Sequence, residues 1–185
     1  TAVGRSALLN NTTGAQNTAL GSNALASNTT AANNTALGYY ALNLNTTGYS
    51  NVGVGYVALQ NNTSGTQNTA VGFATLHANT TASNNTALGF EALNDNTTGT
   101  VNTAVGSGAL DANTTASANT AIGTNSLTTT TTGSDNTAVG YLSLEKNTTG
   151  SFNTCIGKSV LQENTTGTQN VAVGAFALDA NTTAS

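Results

Sequence analysis

The side chains that usually carry catalysis are scarce in this chain of 185 residues, which has one His and one Cys. A Ser-His-Asp arrangement cannot recur with His77 alone, and the acidic residues are not clustered as metal ligands would be. We therefore expect no catalytic residue, no metal site and no cofactor, and we expect the chain not to be an enzyme. Cys155 has no partner for an intramolecular disulfide. The residues at 17-residue intervals from it are mostly Ala, which indicates a small buried residue at this place.

The most frequent candidate for chemistry is Asn followed two residues later by Thr or Ser. This triplet is the acceptor sequence for N-linked glycosylation, and here it falls in a segment rich in turn-forming residues. Because Asn-Thr-Thr-Gly is also a good turn in its own right, both interpretations stay open. The ten candidate acceptors that share one place in the turn segment of the repeat are Asn11, Asn28, Asn45, Asn62, Asn79, Asn96, Asn113, Asn147, Asn164 and Asn181.

Two sets of equally spaced side chains could form binding surfaces. Aromatic residues in register would stack either as a sugar-binding stripe or as a ladder packed between chains. They are Tyr39, Tyr56, Phe73 and Phe90, with Tyr141 further along. A Thr column, interrupted by Val52 and Val171, has the regularity of an ice-binding surface. It consists of Thr18, Thr35, Thr69, Thr86, Thr103, Thr120, Thr137 and Thr154.

These sets arise because the whole chain repeats every 17 residues without insertion or deletion. We number each repeat from its leading Asn, so that Asn17 is position 1 and Thr1 is position 2 of the first repeat. Position 5 is Gly and position 9 is Leu in all eleven repeats, and position 4 is always Val, Leu or Ile. A fixed period this short indicates a repeat architecture.

The apolar pairs at positions 3–4 and 8–9 do not have the spacing of a helix face. We predict an all-β fold, a parallel β-solenoid or β-roll of about eleven coils. Each coil would have two short strands, at positions 1–4 and 7–10, with corners at Gly of position 5 and at Asn-Thr-Thr-Gly. Stacked Asn side chains at positions 1 and 12 would hydrogen-bond as ladders. Residues 1–185 form a single repeat array, which we expect to be a fragment of a longer array or filament.

The low charge limits the expected partners. Charged residues make up 5 % of the chain, with a net charge of −4, so no basic patch for nucleic acid is present. No apolar run is long enough for membrane insertion. Positions 3 and 4 are both apolar although neighbouring residues of a strand point to opposite faces. We therefore expect the second face to be covered by other copies of the chain.

The consensus Asn-Thr-Ala-Val-Gly-x-x-Ala-Leu-x-x-Asn-Thr-Thr-Gly resembles the Gly-punctuated repeats of phage tail-fibre-like proteins over all eleven repeats. More loosely, its Ala-Val-Gly strand is similar to the head repeats of trimeric autotransporter adhesins, in which a Val-Ala-Ile-Gly strand recurs in a shorter coil. The resemblance implies a left-handed β-roll with three chains side by side, located outside a cell or on a virion.

From these observations we predict a structural shaft or fibre segment of an extracellular or virion filament, either tail-fibre-like or adhesin-like. Its partners would be copies of itself, as a homotrimer or an end-to-end filament. The alternative is a surface-binding β-solenoid module, for which surface glycans or ice would be the ligand.

Overall fold

The computed structural model describes all 185 residues as one stack of parallel coils, without any helix. Adjacent strands pair in parallel and in register, so that Ala19 lies beside Ala36. The parallel β-solenoid predicted from the repeat is therefore confirmed, with one strand in each coil. The strands are β1 (Ala2–Val3), β2 (Thr18–Leu20), β3 (Thr35–Leu37), β4 (Val52–Val54), β5 (Thr69–Val71), β6 (Thr86–Leu88), β7 (Thr103–Val105), β8 (Thr120–Ile122), β9 (Thr137–Val139), β10 (Thr154–Ile156) and β11 (Val171–Val173).

Positions 7 to 10 form a turn and not the predicted second strand. Positions 7 and 9 have a positive φ in every coil, as at Asn23 (59°) and Leu25 (50°), and this left-handed backbone cannot continue an extended strand. The turn still pairs between coils, because Asn23 N donates to Arg5 O and Leu25 N donates to Ala41 O. The second strand was wrongly predicted because an apolar pair shows which residues are buried and does not show the sign of φ.

Each coil contributes the same three inward-facing positions to a narrow core. In the second coil these are Ala19 at position 3, Ala24 at position 8 and Leu25 at position 9, and all three are fully buried. Where position 8 carries a hydroxyl group, that group donates to the next coil, as Ser126 Oγ does to Ala138 O at 3.1 Å. All three hydroxyl groups at position 8, of Thr75, Ser126 and Ser143, therefore have a hydrogen-bond partner.

The two predicted Asn ladders are present and join the coils along the axis. At position 1, Asn34 N donates to Asn17 Oδ1 at 2.9 Å, and Asn34 Nδ2 donates to Gly48 O at 2.9 Å. At position 12, Asn45 Nδ2 donates to the same Gly48 carbonyl at 2.9 Å and to Asn28 Oδ1 at 3.2 Å. Each coil thus closes its own turn and hydrogen-bonds to the coil before it.

Glycine at position 5 is required by both conformation and space. Gly89 has a φ of 141°, and a Cβ atom on it would lie 2.5 Å from the carbonyl oxygen of Gly106 in the next coil. Any side chain would therefore strain the backbone and push adjacent coils apart. This explains why the first corner of the coil never varies.

Candidate functional surfaces

The candidate glycosylation residues lie inside the solenoid. Eight of the ten, from Asn28 to Asn164, have no exposed surface, and only Asn11 and Asn181 in the terminal coils are partly accessible. The Nδ2 atom that would accept a glycan instead donates within the ladder, as Asn62 Nδ2 does to Asn45 Oδ1 at 2.8 Å. Glycosylation of a folded inner coil would break these hydrogen bonds, so the burial favours the turn interpretation over the acceptor interpretation.

The single thiol is also inside, at position 3 of strand β10. Cys155 is fully buried, and this burial raises the pKa of its thiol to about 12. A thiol that stays protonated is a poor nucleophile. His77 lies on the surface at position 10, where side chains vary from coil to coil. No three His, Cys, Asp or Glu residues come together, and the surface has no concave pocket.

The four predicted aromatic residues do form a ladder. Successive ring centroids of Tyr39, Tyr56, Phe73 and Phe90 are 5.3, 5.2 and 5.3 Å apart, with interplanar angles of 7 to 9°. Each ring is about half exposed. Because the rings cover one another's faces, they present mainly their edges to solvent. Sugar stacking needs an open ring face, so this geometry favours a structural ladder over a sugar-binding stripe.

The outer face of the sheet forms a second surface, which we call the apolar sheet face and define as positions 2 and 4 of strands β1 to β11. Position 4 carries an aliphatic side chain in every coil, and several are strongly exposed, including Leu20 (49 %), Leu88 (48 %) and Val173 (66 %). Position 2 is Thr or Val, and neither position carries a charge in any coil. Position 4 thus lies on the face opposite the buried position 3, as expected for neighbouring residues of a strand.

A third surface consists of hydroxyl groups and was missed in the sequence. From the fourth coil onward, Ser or Thr occupies both position 14 and position 16, from Ser64 and Thr66 to Thr183 and Ser185. We call these residues the hydroxyl face. Position 14 is exposed throughout, whereas each Ser at position 16 accepts from a backbone N–H of the preceding coil, as Ser83 Oγ accepts from Thr66 N at 2.9 Å. The signal that could have identified the hydroxyl face is Ser or Thr at positions 14 and 16 on either side of Gly or Ala at position 15.

The few charged side chains are spread over several variable positions of the coil, most of them at positions 10 and 11. Lys146 pairs with Glu163 at 2.8 Å in the next coil, and both side chains are about half exposed. Such exposed pairs contribute little stability. Asp111 has no basic partner, and partial burial together with the nearby Asp95 and Glu91 raises the pKa of its carboxyl group to about 6.

Comparisons with family models, curated proteins and solved structures found no match to this chain. Its function is therefore inferred from the repeat and from the three surfaces. The chain is a tandem-repeat β-solenoid, which is consistent with a structural repeat module. None of its elements is a helix, so no helix is long and apolar enough to cross a membrane.

Proposed function

We propose that this chain is a rigid spacer segment of an extracellular or virion fibre. The observation that carries the proposal is that the same hydrogen bonds recur between neighbouring coils along the stack, with an interruption at Thr130 in the position 12 ladder. Besides the strand and the Asn ladders, position 13 adds another bond per coil, as Thr97 Oγ1 donates to Thr114 O at 2.9 Å. A stack held by so many identical bonds has a length proportional to the number of coils.

The composition supports a mechanical role over a chemical one. The positions that vary most between coils lie on the surface, whereas Gly at position 5 and Leu at position 9 are fixed by coil stacking. The low charge leaves little electrostatic repulsion between neighbouring coils, which carry like residues at like positions. The tail-fibre-like or adhesin-like setting rests on the resemblance of the repeat.

Rigidity can be tested by fluorescence energy transfer between two dyes on the same face. We would place cysteines at Thr13 and Thr183, both exposed at position 14, in a Cys155→Ala background. Ten coil spacings of about 4.8 Å give a separation of about 48 Å. We expect a narrow distance distribution near that value, whereas a broad distribution would contradict the spacer role. A variant labelled at Thr98 and Thr183, five spacings apart, is the matched control.

The location can be tested separately with antibodies raised against the folded array. Labelling of intact cells or virions from the source organism, without permeabilisation, would support an extracellular fibre. Labelling that appears only after permeabilisation would contradict it, while leaving the spacer mechanics unaffected.

A second candidate function, binding to ice, is favoured by the hydroxyl face. Its exposed Thr and Ser side chains recur at coil spacing over eight coils, without a charged residue at either position. The test is thermal hysteresis of the isolated chain. Hysteresis that is abolished by Thr115→Lys and retained in Ser107→Lys, an exposed site outside the face, would support ice binding. No hysteresis in the unmodified chain would exclude it.

A further inference from the structure

The apolar sheet face is an uncharged surface to which every coil contributes one aliphatic residue and one Thr or Val. Eleven strands at about 4.8 Å give it a length of about 50 Å, and three residues of strand give a width of about 10 Å. Monomeric soluble proteins rarely expose a contiguous apolar patch larger than a few hundred Å². A face of this size and composition therefore indicates a partner.

We propose that two copies of this chain pair face to face through their apolar sheet faces, as a two-fold dimer. The proposal goes beyond the spacer function, because a rod could act alone. Each copy would bury roughly 500 Å², so the pair would bury roughly 1,000 Å², which is at the lower limit for a specific interface. We therefore expect an affinity in the micromolar range.

Charge and regularity both favour a second copy as the occupant. Neither position 2 nor position 4 carries a charge, so two such faces meet without repulsion although each chain has a net charge of −4. Because both faces repeat every coil, the ridges formed by position 4 on one copy can pack between those of the other along the whole length. An unrelated partner would need the same period to achieve this.

The surface around the neighbouring corner argues for two copies and against three. A three-fold ring is built from heterologous contacts, so each copy would need a second apolar surface beside the sheet face, and the surface at position 6 adjoins that face at the Gly corner. That surface is apolar only in part, since the aromatic ladder ends at Phe90 and charged residues stand at Arg5 and Lys158. A two-fold pair covers the apolar sheet face completely and leaves position 6 in solvent.

The first test is the mass of the chain in solution over the micromolar range, by light scattering or sedimentation. We expect a concentration-dependent monomer–dimer equilibrium. Val105→Lys places a charge in the middle of the face and should weaken dimerisation at least tenfold. Thr98→Lys adds the same charge on an exposed position 14 and should leave dimerisation unchanged. Circular dichroism of both variants checks that the coils remain folded.

The second test maps the contact by cross-linking. Leu88 lies in the sixth of eleven coils, so when the two faces overlap fully it lies level with its counterpart whether the copies run parallel or antiparallel. Sheets pack about 10 Å apart, beyond the reach of a disulfide, so a short bis-maleimide is the probe. In a Cys155→Ala background, Leu88→Cys should give covalent dimers, and Thr98→Cys should not. A monomer at every concentration or a trimeric mass would overturn the proposal. So would equal dimerisation of Val105→Lys and Thr98→Lys, or equal cross-linking of Leu88→Cys and Thr98→Cys.

Discussion

Thr130 is the single residue that interrupts the Asn ladder at position 12. Its Oγ1 donates to Asn147 O at 3.1 Å, but it offers no donor to the coil before it, and Asn113 Oδ1 is left buried without a partner. A buried carbonyl oxygen without a hydrogen bond is destabilising. The repeat therefore contains a local defect between its seventh and eighth coils.

Thr130→Asn should repair this defect. The new Nδ2 would reach Asn113 Oδ1, as Asn113 Nδ2 reaches Asn96 Oδ1 at 2.7 Å in the preceding step. We expect the free energy of unfolding to rise by about 1–2 kcal/mol, measured by urea denaturation. Thr132→Asn, at an exposed position, is the control and should give no gain. A Thr130→Asn variant less stable than the native chain would show that the ladder does not contribute to stability.

The raised pKa of Asp111 predicts that the stability of the fold depends on pH. Burial, Asp95 and Glu91 raise its pKa in the folded state to about 6, above the ordinary value of 3.8. The folded state therefore binds the proton more tightly, and its stability should fall as the pH rises from about 4 to about 6. Because the carboxyl group is only partly buried, we expect a loss of about 1 kcal/mol and not the full value of the shift.

Asp111→Asn should remove that loss. Other donors at position 10 bond to the coil before, as Asn94 Nδ2 does to Ala74 O at 3.1 Å, so Asn at this site should gain the same bond. Urea denaturation at pH 4 and pH 7 should show the variant more stable than the native chain chiefly at pH 7. Glu91→Gln should lower the pKa of Asp111 and reduce the pH dependence in part. An equal gain at both pH values would contradict the electrostatic explanation.

At the scale of the element, the turn at positions 7 to 10 stores backbone strain. Val57 has a φ of 51°, which is unfavourable for a β-branched residue, whereas Asn23 and Asn125 hold the same position in other coils. Val57→Asn should raise the free energy of unfolding by about 1 kcal/mol. Val52→Asn, in strand β4, has no such strain to release and should be neutral or destabilising. The thermal midpoints of the two variants check this, and equal midpoints would mean that the turn is not strained.

The same turn marks the limit of what the sequence predicts. The period, the strand at positions 2 to 4, the inward Leu and the Asn ladders follow from residues that recur at every coil. Positions 7, 9 and 17 have positive φ values. At position 17 these occur at residues as different as Val101, Ala118 and Phe152, so the residue type does not indicate the sign of φ. The aromatic ladder was predicted because stacking follows from spacing. The burial of Asn at position 12 was not predicted, because the same Asn-x-Thr or Asn-x-Ser triplet also matches an exposed glycosylation motif.

At the scale of the whole molecule, each inner coil hydrogen-bonds to the coil before it and to the coil after it. Cys155 offers a probe of this stack, because its buried thiol should react with a disulfide reagent only when coils open. We expect thiol reaction in the folded chain to be many times slower than in urea, and Cys155→Ala to be close to neutral, since Ala holds position 3 in most coils. Rapid reaction without denaturant would mean that the tenth coil opens easily.

The central claim is that coils are interchangeable units of length. Deleting residues 102–118 removes one whole coil and joins the sixth coil to the eighth in register. We expect a folded rod shorter by about 4.8 Å, and a duplication of the same residues should lengthen it by as much, measured by small-angle X-ray scattering. Deleting residues 102–110 breaks the register and should unfold the stack locally. If the whole-coil deletion unfolded the chain as the partial one does, or left its length unchanged, the solenoid would not be a modular spacer.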